Sequence, residues 1–196
     1  MYRSVVANTL KPWLLSGAFL LITLGAVSPA HAAELAGVSF PDQATVGGRA
    51  VVLNGLGLRT ATVLQVKVYV IALYLENRSS DPQAIIASSD HKRIVMQFVR
   101  DVSADKLRGG WTAAFQDNAA DVTGIEHQIA QFNASMRDIK AGDRIALELS
   151  GDTVDVLIND RSIDSISGTP FQRAVLSIWL GPRPPNEGLR QGILGR

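Results

Sequence analysis

The sequence predicts an α+β domain built on a largely antiparallel sheet, and three observations carry that prediction. Residues 51–76, 93–100, 144–149 and 153–158 are rich in β-branched and aliphatic side chains at the two-residue period of strands. The stretches after Ser103, Ile125 and Thr169 instead repeat apolar residues every three to four positions, as helices do. The order is strands, two helices, strands, two helices, whereas a parallel sheet needs regular alternation of the two. A length of 196 residues suits one such domain. With 46% hydrophobic and 19% charged residues, the chain can bury a core.

Residues 1–32 read as an address. Arg3 and Lys11 precede an apolar run over residues 13–27, and Ala30-His31-Ala32 places small residues where a signal peptidase reads. The run is short for a bilayer crossing, which takes about 20 apolar residues. The expectation is cleavage after Ala32, export to a periplasmic or secreted location, and no membrane span afterwards. An uncleaved anchor is the alternative. Loss of Arg3 and Lys11 turns the formal charge from +1 to −1. That balance excludes nucleic acid as the main partner. The absence of cysteine excludes disulfides, thiolate metal sites and thiol nucleophiles.

The strand elements come first. Within 67–76, Tyr69, Ile71, Leu73 and Leu75 alternate with Val68, Val70, Ala72 and Tyr74. Both faces are apolar, so this strand is expected to be covered on both sides. Residues 93–100 read as a second such strand. Strands 144–149 and 153–158 flank a turn at Ser150-Gly151-Asp152, and Asn159-Asp160 turns the chain into a further strand over 162–166. Among the helices, Ser103 is an expected N-cap, with Leu107, Trp111, Ala114 and Phe115 on the buried face. Ile125, Ile129, Phe132 and Met136 form a second stripe. Thr169 as cap and Pro170 as first helical residue open a third helix, which Gly181-Pro182 closes. Its buried face is Phe171, Ala174, Val175 and Ile178. A short last helix is expected over 186–194, ending at Gly195.

Most catalytic patterns are missing. Past the address only His91 and His127 remain, in different segments, so solvated or capping roles suit them better than metal ligation. There is no G-x-S-x-G elbow and no Gly-rich loop ending in Lys-Ser or Lys-Thr. Gly55-Leu-Gly-Leu-Arg59 starts like a dinucleotide fingerprint. Its third glycine is absent, and a strand rather than a helix follows. No metal and no cofactor is expected.

Arg59 stands out, because it joins that glycine pair to a strand apolar on both faces. It reads either as an anchor for a carboxylate or polarised carbonyl, or as a solvated strand-end arginine. Gly109-Gly110 stands out too, since each glycine in a helix interior costs roughly 1 kcal/mol against alanine. Tight helix packing is the simpler explanation and approach of a ligand the other. Trp111 reads as core, and Lys106 as a first-turn residue that is either solvated or at a cleft mouth.

These residues together resemble the chalcone isomerase superfamily, in its bacterial chalcone isomerase-like branch. The resemblance is carried by Phe40-Pro41, Leu53-Asn-Gly-Leu-Gly-Leu-Arg59, Lys67-Val-Tyr-Val-Ile-Ala-Leu-Tyr-Leu-Glu76 and the helix 103–115. It continues through Lys140-Ala-Gly-Asp143, Phe171-Gln-Arg-Ala-Val-Leu-Ser-Ile-Trp-Leu-Gly181 and residues 189–195. It implies an open-faced β-sandwich, an antiparallel sheet covered by helices on one side, with a ligand cleft between. Plant enzymes of the superfamily close a flavonoid ring, whereas non-catalytic members bind fatty acids in the same cleft. In both, an arginine of the G-x-G-x-R turn meets the ligand's oxygen, and Arg59 matches it. Lys106 matches a lysine of the enzyme pattern. Tyr69, Ser103, Gly110 and Ile178 stand where that pattern has threonine, tyrosine, asparagine and a late Thr or Ser.

The resemblance therefore implies a binding protein for a small apolar acid or aromatic ligand. Arg59, Tyr69, Lys106, Gly110 and Trp111 are the candidate ligand-binding residues. Arg59, Tyr69 and Lys106 are the only catalytic candidates for the alternative, an isomerase acting on a substrate other than a flavonoid. A structural or interaction domain with a collapsed cleft is the third reading.

Overall fold

The computed structural model describes residues 32–196, so the signal-peptide expectation falls outside the described residues. Two short strands, β1 (Ala32–Leu35) and β2 (Val38–Pro41), form an antiparallel hairpin of their own. Seven strands then build one sheet in sequence order. They are β3 (Gln43–Val46), β4 (Arg49–Ala61), β5 (Val66–Leu75), β6 (Lys92–Phe98), β7 (Arg144–Ser150), β8 (Thr153–Ile158) and β9 (Arg161–Ser167). Every neighbouring pair is antiparallel. The sheet is a curled meander, as the predicted α+β class requires.

Five helices interrupt or follow it: α1 (Pro82–Ala87), α2 (Ala104–Asn118), α3 (Glu126–Ala134), α4 (Thr169–Leu180) and α5 (Glu187–Ile193). They share one face of the sheet. Their apolar side chains join Tyr69, Ile71, Leu73 and Leu75 in the larger core. The opposite face carries Val70, Ala72 and Tyr74, covered by Val38 and Phe40 of the β1–β2 hairpin. Strand β5 is thus buried on both faces, as its composition predicts.

Several details depart from expectation. The first three strands and α1 lack strong patterns and were not predicted. Val68 lies against the helix-side core instead of sharing the face of Val70. A bulge between the pairs Arg59↔Tyr69 and Thr60↔Lys67 places an extra residue on β5 there, and the alternation changes phase. At the start of α4 the cap is Gly168, at φ 134°, while Thr169 and Pro170 are already helical. Helix α4 is buried nearly all round rather than along one stripe, because α1, α2 and α5 all pack against it.

The turn Asn159-Asp160 holds φ of 52° and 61°, the left-handed pair that a two-residue hairpin needs. Ser103 caps α2 as predicted, its hydroxyl accepting from the Lys106 N–H.

Candidate functional site

The site begins with β4. A second bulge, between the pairs Leu53↔Tyr74 and Gly55↔Leu73, shifts the strand's phase at Asn54. Gly55, Gly57 and Arg59 consequently face the helices, while Leu56 and Leu58 pack on the opposite core. The two glycines are there because α5 rests on β4 by its backbone. A Cβ at Gly57 would lie 2.6 Å from the Leu189 carbonyl oxygen, and one at Gly55 would strike the Gly192 carbonyl. The segment is also laced to β4 by side chains. Asn54 Nδ2 donates to the Ile193 carbonyl at 2.7 Å, and Asn186 Nδ2 donates to the Leu58 carbonyl at 3.1 Å.

Arg59 sits at the end of this seam. Its Nη1 donates to the Pro185 carbonyl at 3.0 Å and to the Thr60 carbonyl, which orients the guanidinium. The side chain is half-buried, and no carboxylate lies within ion-pair distance among the described residues. Tyr69 stands directly opposite on β5. Trp179 Nε1 donates to the Tyr69 hydroxyl oxygen at 3.0 Å. Indole nitrogen is a donor only, so the phenolic proton points elsewhere, and it finds no acceptor among the described residues. Burial pushes the Tyr69 pKa up to about 12, against the lowering effects of the Trp179 bond and Arg59. Tyr69 is therefore a neutral hydroxyl donor at any physiological pH.

Both residues line a cavity of about 550 Å³ between sheet and helices. The sheet contributes Arg59, Ala61, Val68, Tyr69 and Phe98. Helix α2 contributes Lys106, Leu107, Gly110, Trp111 and Ala114, and α4 contributes Ile178. The cavity brings together all five residues singled out in the sequence: Arg59, Tyr69, Lys106, Gly110 and Trp111. Lys106 is exposed at the rim. Trp111 is core as well as wall, edge-on to Trp179 and Phe132.

Gly109-Gly110 overturns the tight-packing explanation. A Cβ at either position would meet nothing within 4 Å, and Gly110 opens onto the cavity.

Sequence reasoning missed a further wall, made by Asp117, Asn118 and the loop Arg183-Pro184-Pro185, whose last residue holds Arg59. Buried Asn118 holds that loop, accepting from the Arg183 N–H at 2.8 Å and donating to the Arg183 carbonyl at 2.9 Å. A buried Asn at the end of an apolar helix face was the available signal. Ser103 is the cap of α2 and not a cavity residue.

Among the described residues no group of three or more His, Asp or Glu could hold a metal ion. His91 is tied to Glu76, its Nδ1 2.6 Å from Oε1. No described helix is long and apolar enough to cross a membrane.

Helices over one face of an antiparallel sheet, with a largely apolar cavity between them that Arg59 and Tyr69 both line, define a cleft-bearing α+β domain. The chain belongs to the chalcone isomerase-like family, which its sequence matches over residues 32–195. Its fold is similar to that of a fatty-acid binding protein from Arabidopsis thaliana, at 15% identity and a TM-score of 0.69. That similarity covers 84% of this chain and 96% of the other. No curated protein is significantly similar in sequence.

Proposed function

We propose that this protein is a non-catalytic binding protein that holds a fatty-acid-like or other apolar carboxylate in the helix–sheet cavity, with Arg59 as anchor. One observation carries the reading. A half-buried guanidinium without an acidic partner stands beside a hydroxyl with an unused proton, both lining a largely apolar cavity. A carboxylate would accept from both, and a paired charge is far better tolerated at the edge of a core than a lone one. The cavity volume lies in the range of small-molecule sites. A fatty-acid binding protein with this fold supports the same choice.

The isomerase alternative gains little. Tyr69 is held far from the neutral range in which a general acid or base works best. The volume between sheet and helices supports an open cleft over a collapsed one.

The test is native mass spectrometry of the protein as purified from its producing cell, beside Arg59→Ala. A stoichiometric acyl or aromatic acid lost from the variant is expected. The same ligand at equal occupancy in both would overturn the anchor, and an empty wild type would overturn the carrier. Periplasmic or secreted location belongs to the same proposal, on the n-region, apolar run and A-x-A pattern of residues 1–32. N-terminal sequencing that begins at Ala33 is the expected outcome.

A further inference from the structure

The tip of the β4–β5 hairpin carries two large apolar side chains that neither the core nor the cavity uses. Val63 is 98% exposed and Leu64 82%. They are the central residues of a four-residue turn, closed by the Gln65 N–H donating to the Thr62 carbonyl at 3.1 Å. Positions like these usually hold Gly, Pro, Asn, Asp or Ser, so turn chemistry does not account for the pair. Thr62 and Gln65 take positive φ, 66° and 49°, on either side of them.

The tip hangs beside the cavity. Ala61, one residue before the turn, and Val68, three after it, both line the cavity wall. Cations lie on the elements next to it. Lys67 follows on β5. The Val99 N–H donates to the Val68 carbonyl at 3.0 Å, which brings Arg100 alongside. Lys106 stands on the rim. All three are exposed, and none lies within ion-pair distance of a carboxylate among the described residues. An apolar tip with unpaired cations on the adjoining strand, loop and cavity rim is complementary to an anionic bilayer: aliphatic carbons enter the acyl boundary and ammonium or guanidinium groups meet phosphates.

We propose that residues 62–65 dock on an anionic lipid surface, inserting Val63 and Leu64 and seating Lys67, Arg100 and Lys106 on headgroups, so that the cavity exchanges its apolar ligand with the bilayer. The docking stands on the tip alone, and only the exchange rests on the carrier reading.

Vesicle co-sedimentation tests it, with phosphatidylcholine alone and phosphatidylcholine mixed with phosphatidylglycerol. The proteins are the wild type, V63S/L64S and K67S/R100S, all carrying the same N-terminus. Wild type is expected to bind the mixed vesicles. V63S/L64S should partition about tenfold less or lower, and K67S/R100S about fivefold less per cation on anionic vesicles only. Wild type left in the supernatant, or V63S/L64S binding as well as wild type, would overturn the docking. So would vesicle-free self-association abolished by V63S/L64S, which would make the tip a contact between protein copies. Native mass spectrometry of V63S/L64S separates the two ideas. Retained ligand with lost vesicle binding supports the docking. Vesicle binding by a wild type that never holds a ligand leaves the docking standing and removes the carrier.

Discussion

Replacing Gly55 by alanine tests whether the backbone contact between α5 and β4 places Arg59 in the cavity wall. The added methyl would fall on the Gly192 carbonyl and lie 2.9 Å from both the Gly195 nitrogen and the Ile193 carbonyl oxygen. All three neighbours are backbone atoms, so no side chain can rotate away. Overpacking of this kind costs about 1–3 kcal/mol, and a purely backbone contact belongs at the upper end. Restricting the unfolded chain returns about 0.4–1 kcal/mol, which leaves a net loss of about 2 kcal/mol. For a domain of this size, that is a fall in Tm of about 4–8 °C. Displacement of α5 also pulls on Pro185, whose carbonyl holds Arg59. Thermal unfolding by circular dichroism reads the first effect, and ligand occupancy reads the second. A Gly55→Ala protein that melts within about a degree of wild type and keeps its ligand would refute the seam as the device that places Arg59.

Other outcomes follow from the same geometry. Gly109→Ala adds a methyl to open space in mid-helix and should raise stability by up to about 1 kcal/mol, seen as a Tm gain of about 2–4 °C; a loss would mean that the position contacts something. Asn118→Ala strips both backbone partners from Arg183 and should cost about 1–3 kcal/mol while weakening ligand binding more than a distant variant of equal stability. Tyr69 ionises at about 12 when folded and about 10 when unfolded, so its contribution is fully present below pH 10 and is lost as pH rises toward 12. The unfolding free energy from urea titrations should therefore fall less steeply in Tyr69→Phe than in wild type between pH 10 and 12, by about 1.4 kcal/mol per pH unit, and parallel curves would contradict a buried, neutral Tyr69.

The sequence was most legible where one pattern runs long. Strands β7, β8 and β9 emerged because their turns are short and chemically marked, and α2 because a capping serine precedes a clear apolar stripe. Strands β1 to β3 have four residues each, and α1 has six, too few for a period to register. Two bulges displaced the alternation where the site lies, which is why Val68 was put on the wrong face. At the site, Arg59 could be picked out because an arginine joins a glycine pair to an apolar strand, whereas Tyr69 was singled out only by the family resemblance. The purpose of Gly55 and Gly57 could not be read locally, because the helix that needs them comes more than 130 residues later. The wall at Arg183-Pro184-Pro185 has no periodicity at all, and Asn118, a polar residue on the apolar stripe of α2, was its one unread sign.

The lacing of α5 onto β4 also orders events in time. Arg59 meets Pro185 across 126 residues, and Asn54 meets Ile193 across 139. Contacts so distant in sequence close large loops and form late, after the meander has paired strand by strand with its neighbours. A folding chain thus acquires a sheet, a core and a hollow before Arg59 is fixed at the hollow's edge. Until its final dozen residues settle, the cavity stands without an oriented Arg59. The orientation of Arg59 is thus the last part of the fold to be set.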